Sequence, residues 1–180
     1  QIMDLTLSKS FDDFSIKNYF KMISLKTGSL LSSCSEVGAI LAQANKKEIT
    51  SMKDFGKNLG ISFQIVDDLL DFIGVSESLG KKTMQDLKDG KVTLPLIIAV
   101  NSTTITNRKK AKIILKNRKF DRKSMDFLYN LIIREGALEK TKKEAEKYSR
   151  KAIGNMKCLD ESVYKIALEF LLIGNLTRIN

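Results

Sequence analysis

The sequence predicts an all-α fold, and three observations support this prediction. A single Pro and ten Gly among 180 residues leave few positions that would break a helix. Long stretches are rich in Leu, Ile, Ala, Lys and Glu, and apolar residues within them recur at helical spacing. Segments with the alternating pattern of a long strand are hard to find. A hydrophobic content of 43% is sufficient for a domain with a real core.

The first helical region is predicted over residues 15–45. Apolar residues recur there at steps that build one buried stripe, namely Tyr19, Met22, Ile23, Leu30, Val37 and Leu41. Small residues are frequent between Ser29 and Ala39. They predict either close packing against another helix or a surface that lines a pocket, and the sequence leaves both interpretations open.

Further helices follow in order along the chain. Residues 50–72 are predicted to form the second, with Thr50 or Ser51 as its N-cap. A polar, Gly-containing connection over 74–90 is long enough to be a functional loop. Pro95 is expected in the first turn of a short buried helix within 92–100, with a strand as the weaker alternative. Three more helices are predicted over residues 123–135, 137–155 and 161–176.

Composition excludes several kinds of site. The absence of His removes Ser-His-Asp triads and imidazole metal ligands. Cys34 and Cys158 match no zinc or redox spacing, so a reducing, cytoplasmic compartment is expected. The sequence has no uninterrupted run of about 18 apolar residues, so no transmembrane segment is predicted. Its first residues lack the basic and apolar regions of a signal peptide. Chemistry must therefore rest on carboxylates, lysines and hydroxyls.

The net charge of +10 suits an anionic ligand or surface. Basic residues are densest over 108–123, where Asp121 is the only acidic residue. A solvated helix face or loop is the favoured interpretation of this stretch, and contact with nucleic acid is a weaker one. No nucleic-acid partner is therefore predicted.

The strongest functional signal is residues 60–72, where three carboxylates lie within an apolar helical pattern. On a helix, Asp67 and Asp71 are four residues apart and Asp68 and Asp71 are three apart, so the three share one face, with Gln64 a turn earlier. The apolar neighbours make unpaired carboxylates costly. Because oxygen-only ligands favour Mg²⁺, which completes its shell with waters and substrate phosphates, this face is a candidate magnesium site.

Basic residues follow the carboxylates closely in sequence, and they are Lys81, Lys82 and Lys91. Metal and ammonium groups together would neutralise a diphosphate. If the diphosphate is a leaving group, the same charges stabilise it as it departs, and no protein nucleophile is needed. The pattern thus indicates chemistry on a diphosphate ester.

These motifs resemble those of the trans-type polyprenyl diphosphate synthases. Residues 60–71 resemble that family's second aspartate-rich motif, GxxFQxxDDxxD, with every specified position in place. Residues 79–81, 86–87 and 90–96 resemble its continuation LGK…DL…GKxTLPL, and residues 19–30 resemble its Y…KTasL segment. The resemblance is specific over about residues 1–100 and looser beyond, so residues 1–180 look like the C-terminal part of a single polyprenyl synthetase domain.

The resemblance implies an all-α isoprenoid synthase type of helical bundle, truncated on its N-terminal side, that usually forms homodimers. It also implies prenyl transfer, in which an allylic diphosphate ionises and isopentenyl diphosphate adds to the carbocation. Mg²⁺ would be bound by Asp67, Asp68 and Asp71, with Asp67 the strongest candidate. Catalytic and substrate-binding roles would fall to Lys26, Thr27, Gln64 and Lys81, and a diphosphate contact also to Lys91.

The sequence departs from the family in two respects. The first aspartate-rich motif should precede the KT segment, and nothing in residues 1–18 replaces it, since Asp12-Asp13 is better explained as a polar turn. The chain alone is therefore predicted to be inactive. Met84 stands where the family commonly has Gly. Two alternatives remain, a noncatalytic or regulatory subunit that pairs with a complete synthase, and a basic helical module that binds nucleic acid.

Overall fold

The computed structural model describes residues 15–73, 84–89, 91–118 and 120–179. These ranges contain helices and no strand, which confirms the predicted all-α class. The α-helices, in chain order, are α1 Ile16–Ile23, α2 Ser29–Leu41, α3 Lys46–Ile73, α4 Gln85–Lys88, α5 Leu94–Ser102, α6 Ile105–Lys116, α7 Arg122–Arg134, α8 Ala137–Asn155 and α9 Val163–Thr177. A π-helical turn, Ser24–Gly28, joins α1 to α2, and a 3₁₀ turn, Met156–Cys158, follows α8.

The start of α3 differs from the prediction. A reciprocal capping box begins the helix at Lys46, because the Asn45 side chain accepts from the backbone N–H groups of Lys47 and Glu48 at 3.0 and 3.1 Å, and the Glu48 carboxylate accepts from Asn45 N–H at 2.9 Å. The predicted N-cap at Thr50 or Ser51 is therefore wrong. The Thr50 hydroxyl instead donates back to the Lys46 carbonyl within the helix.

The later helices lie close to their predicted positions. Pro95 is in the first turn of α5, whose residues from Leu94 to Val100 are all buried. Helices α7, α8 and α9 begin and end within two residues of the predicted bounds. The caps explain two of the starts, since Asp121 accepts from the backbone N–H of Ser124, and Ser162 from that of Lys165. No helix in the described ranges is long and apolar enough to cross a membrane.

The chain separates into two compact units. The first comprises residues 1–19 and 68–142, and in it α5 packs against α6 and α7. The second comprises residues 20–67 and 143–180, with a core built on Phe55, Ala152, Met156 and Leu172. Helix α3 contributes residues to both units. The expectation that residues 1–180 form part of one domain stays a prediction.

Helices α2 and α3 approach each other closely within the second unit. A Cβ added to Gly56 on α3 would lie 2.2 Å from the backbone oxygen of Leu31 on α2, and the Ser32 hydroxyl donates to the Lys53 carbonyl at 2.9 Å. Other small residues of α2 line a groove of about 410 Å³ next to Met52, and they are Cys34, Ser35, Gly38 and Ala39. Close packing and a groove are thus both observed along α2, and Ser35 takes part in both.

Substitution of Gly56 by Ala should destabilise the protein strongly. The added methyl group would meet backbone atoms of Leu31, which cannot move without displacing α2, so we expect a loss of about 3 kcal/mol in the free energy of unfolding. Gly154→Ala is the matched control, because no atom lies within 4 Å of its added Cβ and Ala is the better helix former. Urea unfolding of both variants measures the difference, and equal stability would contradict the close packing.

Candidate functional site

The three aspartates lie near the C-terminal end of α3, as predicted, but their environments differ. Asp67 belongs to the second unit, and its side chain is 54% exposed. Asp68 and Asp71 belong to the first unit, where Asp68 is 4% exposed and Asp71 is half-buried. Adjacent positions on one helix thus hold carboxylates with different access to solvent.

Asp68 is held by a buried tyrosine. The Tyr19 hydroxyl donates to Asp68 Oδ2 at 2.7 Å, and Tyr19 is 2% exposed. Burial raises the pKa of Tyr19 well above its usual value, and the neighbouring carboxylate raises it further, so the hydroxyl stays protonated and donates. Periodicity predicted Tyr19 only as part of an apolar stripe. Its position at the start of the Y…KT segment was the signal that it also has a polar role.

Asp71 anchors the segment that begins at residue 84. Its backbone oxygen accepts from Met84 N–H at 3.1 Å, and its two carboxylate oxygens accept from the backbone N–H groups of Gln85 and Asp86 at 2.9 and 3.2 Å. Partial burial raises the pKa of Asp71, although the two backbone donors oppose the rise. This carboxylate therefore orders the start of α4 in addition to any role with a metal.

Met84 occupies a left-handed backbone conformation, which Gly adopts without strain. Its φ is +36° and its ψ is +40°, in the left-handed region where a side chain is disfavoured by about 1–2 kcal/mol. The Met84 side chain is 1% exposed. Burial of this side chain offsets the backbone strain, which explains why the position tolerates a residue other than Gly.

Two substitutions at Met84 separate the stabilisation by the buried side chain from the cost of the backbone strain. Met84→Ala removes the buried side chain and keeps the strain, so we expect a loss of about 3 kcal/mol in stability. Met84→Gly removes the same side chain and also relieves the strain, and it should be about 1 kcal/mol more stable than the Ala variant. Thermal unfolding of the two variants checks that Met84→Gly is more stable than Met84→Ala. In a helix interior, Ala is more stable than Gly.

Of Lys81 and Lys91, the two lysines after the aspartates that are predicted to contact diphosphate, the structure describes Lys91. Lys91 is exposed, and its ammonium group lies 2.7 Å from Asp86 Oδ1. Since Asp71 bonds the backbone of Asp86, Lys91 is linked through Asp86 to one of the motif carboxylates. Lys81, the other predicted diphosphate ligand on the connection, lies outside the described residues, as does Lys82.

In the second unit, the KT segment forms the π-helical turn between α1 and α2. Thr27 Oγ1 donates to Gln64 Oε1 at 2.9 Å, and Lys26 is exposed on the same turn. A Cβ on Gly60 would lie 2.8 Å from Gly28 Cα, so the first residue of the aspartate-rich motif must be Gly for α3 to approach this turn. The structure therefore brings Thr27 and Gln64 together, and π-helical turns are frequent at functional sites.

Asp67 faces a basic residue beyond α9. Arg178 Nη2 lies 3.6 Å from Asp67 Oδ1, with both side chains partly exposed. The same guanidinium lies 5.4 Å from the centroid of the Phe63 ring. An ion pair this long and this exposed contributes little to stability, so the Asp67 carboxylate remains accessible to another cation.

The donor chemistry of these residues fits Mg²⁺. All three candidate ligands supply carboxylate oxygens, the type of donor that Mg²⁺ prefers. Within the described residues, however, no three acidic or Cys side chains converge at one point. Asp67 is the most open of the three, which agrees with its choice as the strongest candidate ligand, although that role stays a prediction.

Comparisons with known proteins agree with this arrangement. The sequence model of the polyprenyl synthetase family matches residues 1–132. The chain is 33% identical to solanesyl diphosphate synthase 2, chloroplastic, of Arabidopsis thaliana, over 94% of its own length and 38% of the relative's. It is 31% identical to octaprenyl diphosphate synthase of Escherichia coli (strain K12), over 87% of its own length and 48% of the relative's.

The chain thus spans about half or less of the length of both curated relatives. The fold agrees with a decaprenyl diphosphate synthase from Rhodobacter capsulatus at a TM-score of 0.89 and 29% identity, over 99% of this chain and 55% of that one.

A second solved structure adds ligands to the comparison. A polyprenyl synthase from Caulobacter crescentus CB15, complexed with calcium and isoprenyl diphosphate, agrees at a TM-score of 0.86 and 30% identity, over 99% of this chain and 54% of that one. The matches extend over nearly the whole chain and include the motifs on α3 and on the π-helical turn. The chain therefore belongs to the polyprenyl synthetase family.

Proposed function

We propose that this chain supplies the second aspartate-rich motif and the KT segment of a prenyltransferase that joins isopentenyl diphosphate to an allylic diphosphate. The observation that carries the proposal is the contact between Thr27 and Gln64, which connects the KT turn to the helix that bears the motif. Membership of the polyprenyl synthetase family supports it, as does the diphosphate complex of the Caulobacter relative.

The proposed roles follow from the charges and contacts of the described residues. Lys26 is exposed on the π-helical turn, where its ammonium group is available to donate to diphosphate oxygens. Thr27 fixes the orientation of the Gln64 side chain, which is 8% exposed and therefore pre-organised. Within the second unit, Lys26 and Gln64 would bind the diphosphate and hold it in one orientation. A diphosphate contact by Lys91, which belongs to the first unit, stays a prediction.

Mg²⁺ would be held by Asp67, with Asp68 and Asp71 as further candidate ligands. When bound, the metal would neutralise the negative charge that develops on the departing diphosphate. Tyr19 keeps Asp68 in one orientation, and the backbone donors of Gln85 and Asp86 do the same for Asp71. Ligands oriented by such hydrogen bonds bind metal more tightly than mobile ones.

Calorimetric titration with farnesyl diphosphate tests the proposal. We expect binding that requires Mg²⁺, that is lost on addition of EDTA, and that weakens about tenfold in Lys26→Gln because one charged hydrogen bond is removed. Lys46→Gln removes the same charge from an exposed position at the start of α3 and is the matched control. Equal binding in EDTA and in Mg²⁺ would overturn the proposal.

Labelled isopentenyl diphosphate, added to the same mixture, tests the transfer itself. Binding without product is the expected result for this chain, because the family's first aspartate-rich motif is not found among residues 1–180. Product that is made by the purified chain and lost in Asp67→Ala would show that the first motif is dispensable.

We also propose that the chain forms a homodimer through α2. An apolar stripe on this helix is exposed, and it comprises Leu30 at 66%, Val37 at 51% and Leu41 at 78% exposure. Residues at these spacings share one helix face, and apolar faces of this kind mark interaction surfaces. Sedimentation should give a dimer for the unmodified chain and a monomer for Val37→Glu.

The expected cytoplasmic location stays a prediction.

A further inference from the structure

The outward face of α6 combines lysines with exposed isoleucines. Lys109, Lys112 and Lys116 recur at spacings of three and four residues, and Ile105 and Ile113 flank them on the same side of the helix. Ile105 is 72% and Ile113 is 60% exposed. The opposite side of α6 is buried within the first unit through Ala111, Ile114 and Leu115. This face of α6 is therefore exposed to solvent, and the opposite side of the helix is buried.

Basic residues predominate on this surface. The sequence contains no Asp or Glu between Asp89 and Asp121, so α5 and α6 carry no acidic residue, and Asp126 lies on α7 beside Phe127, the ring that Lys110 contacts. Asp121 itself is engaged at the N-cap of α7. Two exposed basic residues, Arg122 and Lys123, begin that helix. This is the densest stretch of basic residues in the sequence, and the proposed diphosphate chemistry does not use it.

The start of α6 is anchored. The Arg108 guanidinium donates to the backbone oxygens of Val100 and Asn101 at 3.0 and 2.6 Å, where α5 ends. The Thr104 side chain caps α6 by accepting from Asn107 N–H. Arg108 thus belongs to the internal structure of the first unit, which distinguishes it from the three outward lysines. The helix holds those lysines and both isoleucines in a fixed arrangement.

We propose that this face docks on the surface of an anionic phospholipid bilayer. Lysines on a rigid surface are attracted to acidic head groups, each contributing about a fivefold gain in binding. Isoleucines beside them can enter the boundary between head groups and acyl chains. The phosphates of a nucleic acid would pair with the lysines but would leave the two large apolar side chains without a contact. The two exposed isoleucines therefore favour a bilayer over a nucleic acid.

Flotation of the 180-residue chain with lipid vesicles tests this proposal without any substrate, so its outcome is separate from that of the proposed activity. We expect binding to vesicles of mixed phosphatidylglycerol and phosphatidylcholine, and none to phosphatidylcholine alone. Raising the salt from about 0.1 to about 1 M should release the protein, because the Debye length falls from about 10 to about 3 Å. Equal binding to both kinds of vesicle would overturn the proposal.

Two variants identify the face. Replacing Lys109, Lys112 and Lys116 together by Gln should weaken binding roughly a hundredfold. The matched control replaces three exposed lysines elsewhere, Lys46, Lys47 and Lys143, and changes the net charge equally. Circular dichroism of both triple variants verifies that they are folded. Equal weakening by the two sets would show that net charge alone drives binding and would overturn the assignment to α6.

Replacement of Ile105 and Ile113 by Ser separates the bilayer from a nucleic acid. We expect vesicle binding to weaken about tenfold, because apolar area no longer leaves water, while the charge is unchanged. Val163→Ser with Ile166→Ser is the control on another exposed apolar surface. Vesicle binding unaffected by the loss of the isoleucines, together with tight oligonucleotide binding that requires the same lysines, would overturn the proposal in favour of a nucleic acid.

Discussion

Replacement of Asp67 by Asn is expected to abolish Mg²⁺-dependent binding of farnesyl diphosphate while leaving the fold intact. Loss of a residue that only supports a metal ligand typically weakens metal binding ten- to a hundredfold, so loss of a ligand should weaken it about a hundredfold or more. The ion pair with Arg178 is long and exposed, so its loss should change the free energy of unfolding by less than about 0.5 kcal/mol.

Asp54 provides the control for this experiment. It is exposed on the same helix, and Asp54→Asn removes the same charge. Calorimetry with Mg²⁺ in excess should show binding by Asp54→Asn that is unchanged from the unmodified chain, in contrast to Asp67→Asn. If both variants lose binding equally, then general electrostatics accounts for the effect and Asp67 has no special role. If neither does, Asp67 is not a ligand.

The helices could be predicted because their signals are local. Apolar spacing and the scarcity of Pro and Gly are enough to indicate α5, α7, α8 and α9. The start of α3 was missed for a related reason. Asn45-Lys46-Lys47-Glu48 has the polar composition of a turn, and only the pairing of Asn45 with Glu48 distinguishes it as a capping box.

The candidate site was predicted in composition but not in arrangement. The spacing of Asp67, Asp68 and Asp71 indicates a common helix, and α3 confirms that helix. Spacing says nothing about which carboxylate is buried, because burial depends on residues far away in the sequence. Asp68 is buried with Tyr19, which is 49 positions distant, and Asp71 bonds a segment that begins 13 residues later. These differences arise only from tertiary contacts.

Two glycines of α3 also show that sequence spacing does not reveal tertiary contacts. Gly56 and Gly60 are one turn apart on α3, and only Gly60 belongs to a recognised motif. The structure shows that both permit close approach, Gly56 to Leu31 and Gly60 to Gly28. A sequence pattern identifies Gly60 as a motif residue without giving its physical reason, and it does not identify Gly56 at all.

The second large effect is expected at the buried pair of Tyr19 and Asp68. Tyr19→Phe removes a donor from a carboxylate that is 4% exposed, so we expect the free energy of unfolding to fall by about 2–3 kcal/mol. Asp68→Asn removes the charge and should reduce the need for that donor. In the double variant the two losses should therefore not add, with a coupling energy of about 1.5 kcal/mol or more.

Denaturant unfolding of the two single variants and the double variant measures this coupling, and strictly additive losses would contradict a direct interaction. A second measurement separates stability from metal binding. If Tyr19 orients Asp68 as a metal ligand, Tyr19→Phe should weaken Mg²⁺ binding about tenfold under conditions in which the protein stays folded. Tyr164→Phe, on an exposed tyrosine of α9, is the matched control and should change neither quantity. A stability loss with unchanged Mg²⁺ affinity would assign the Tyr19–Asp68 bond to the fold alone and leave Asp67 as the principal metal ligand of the motif.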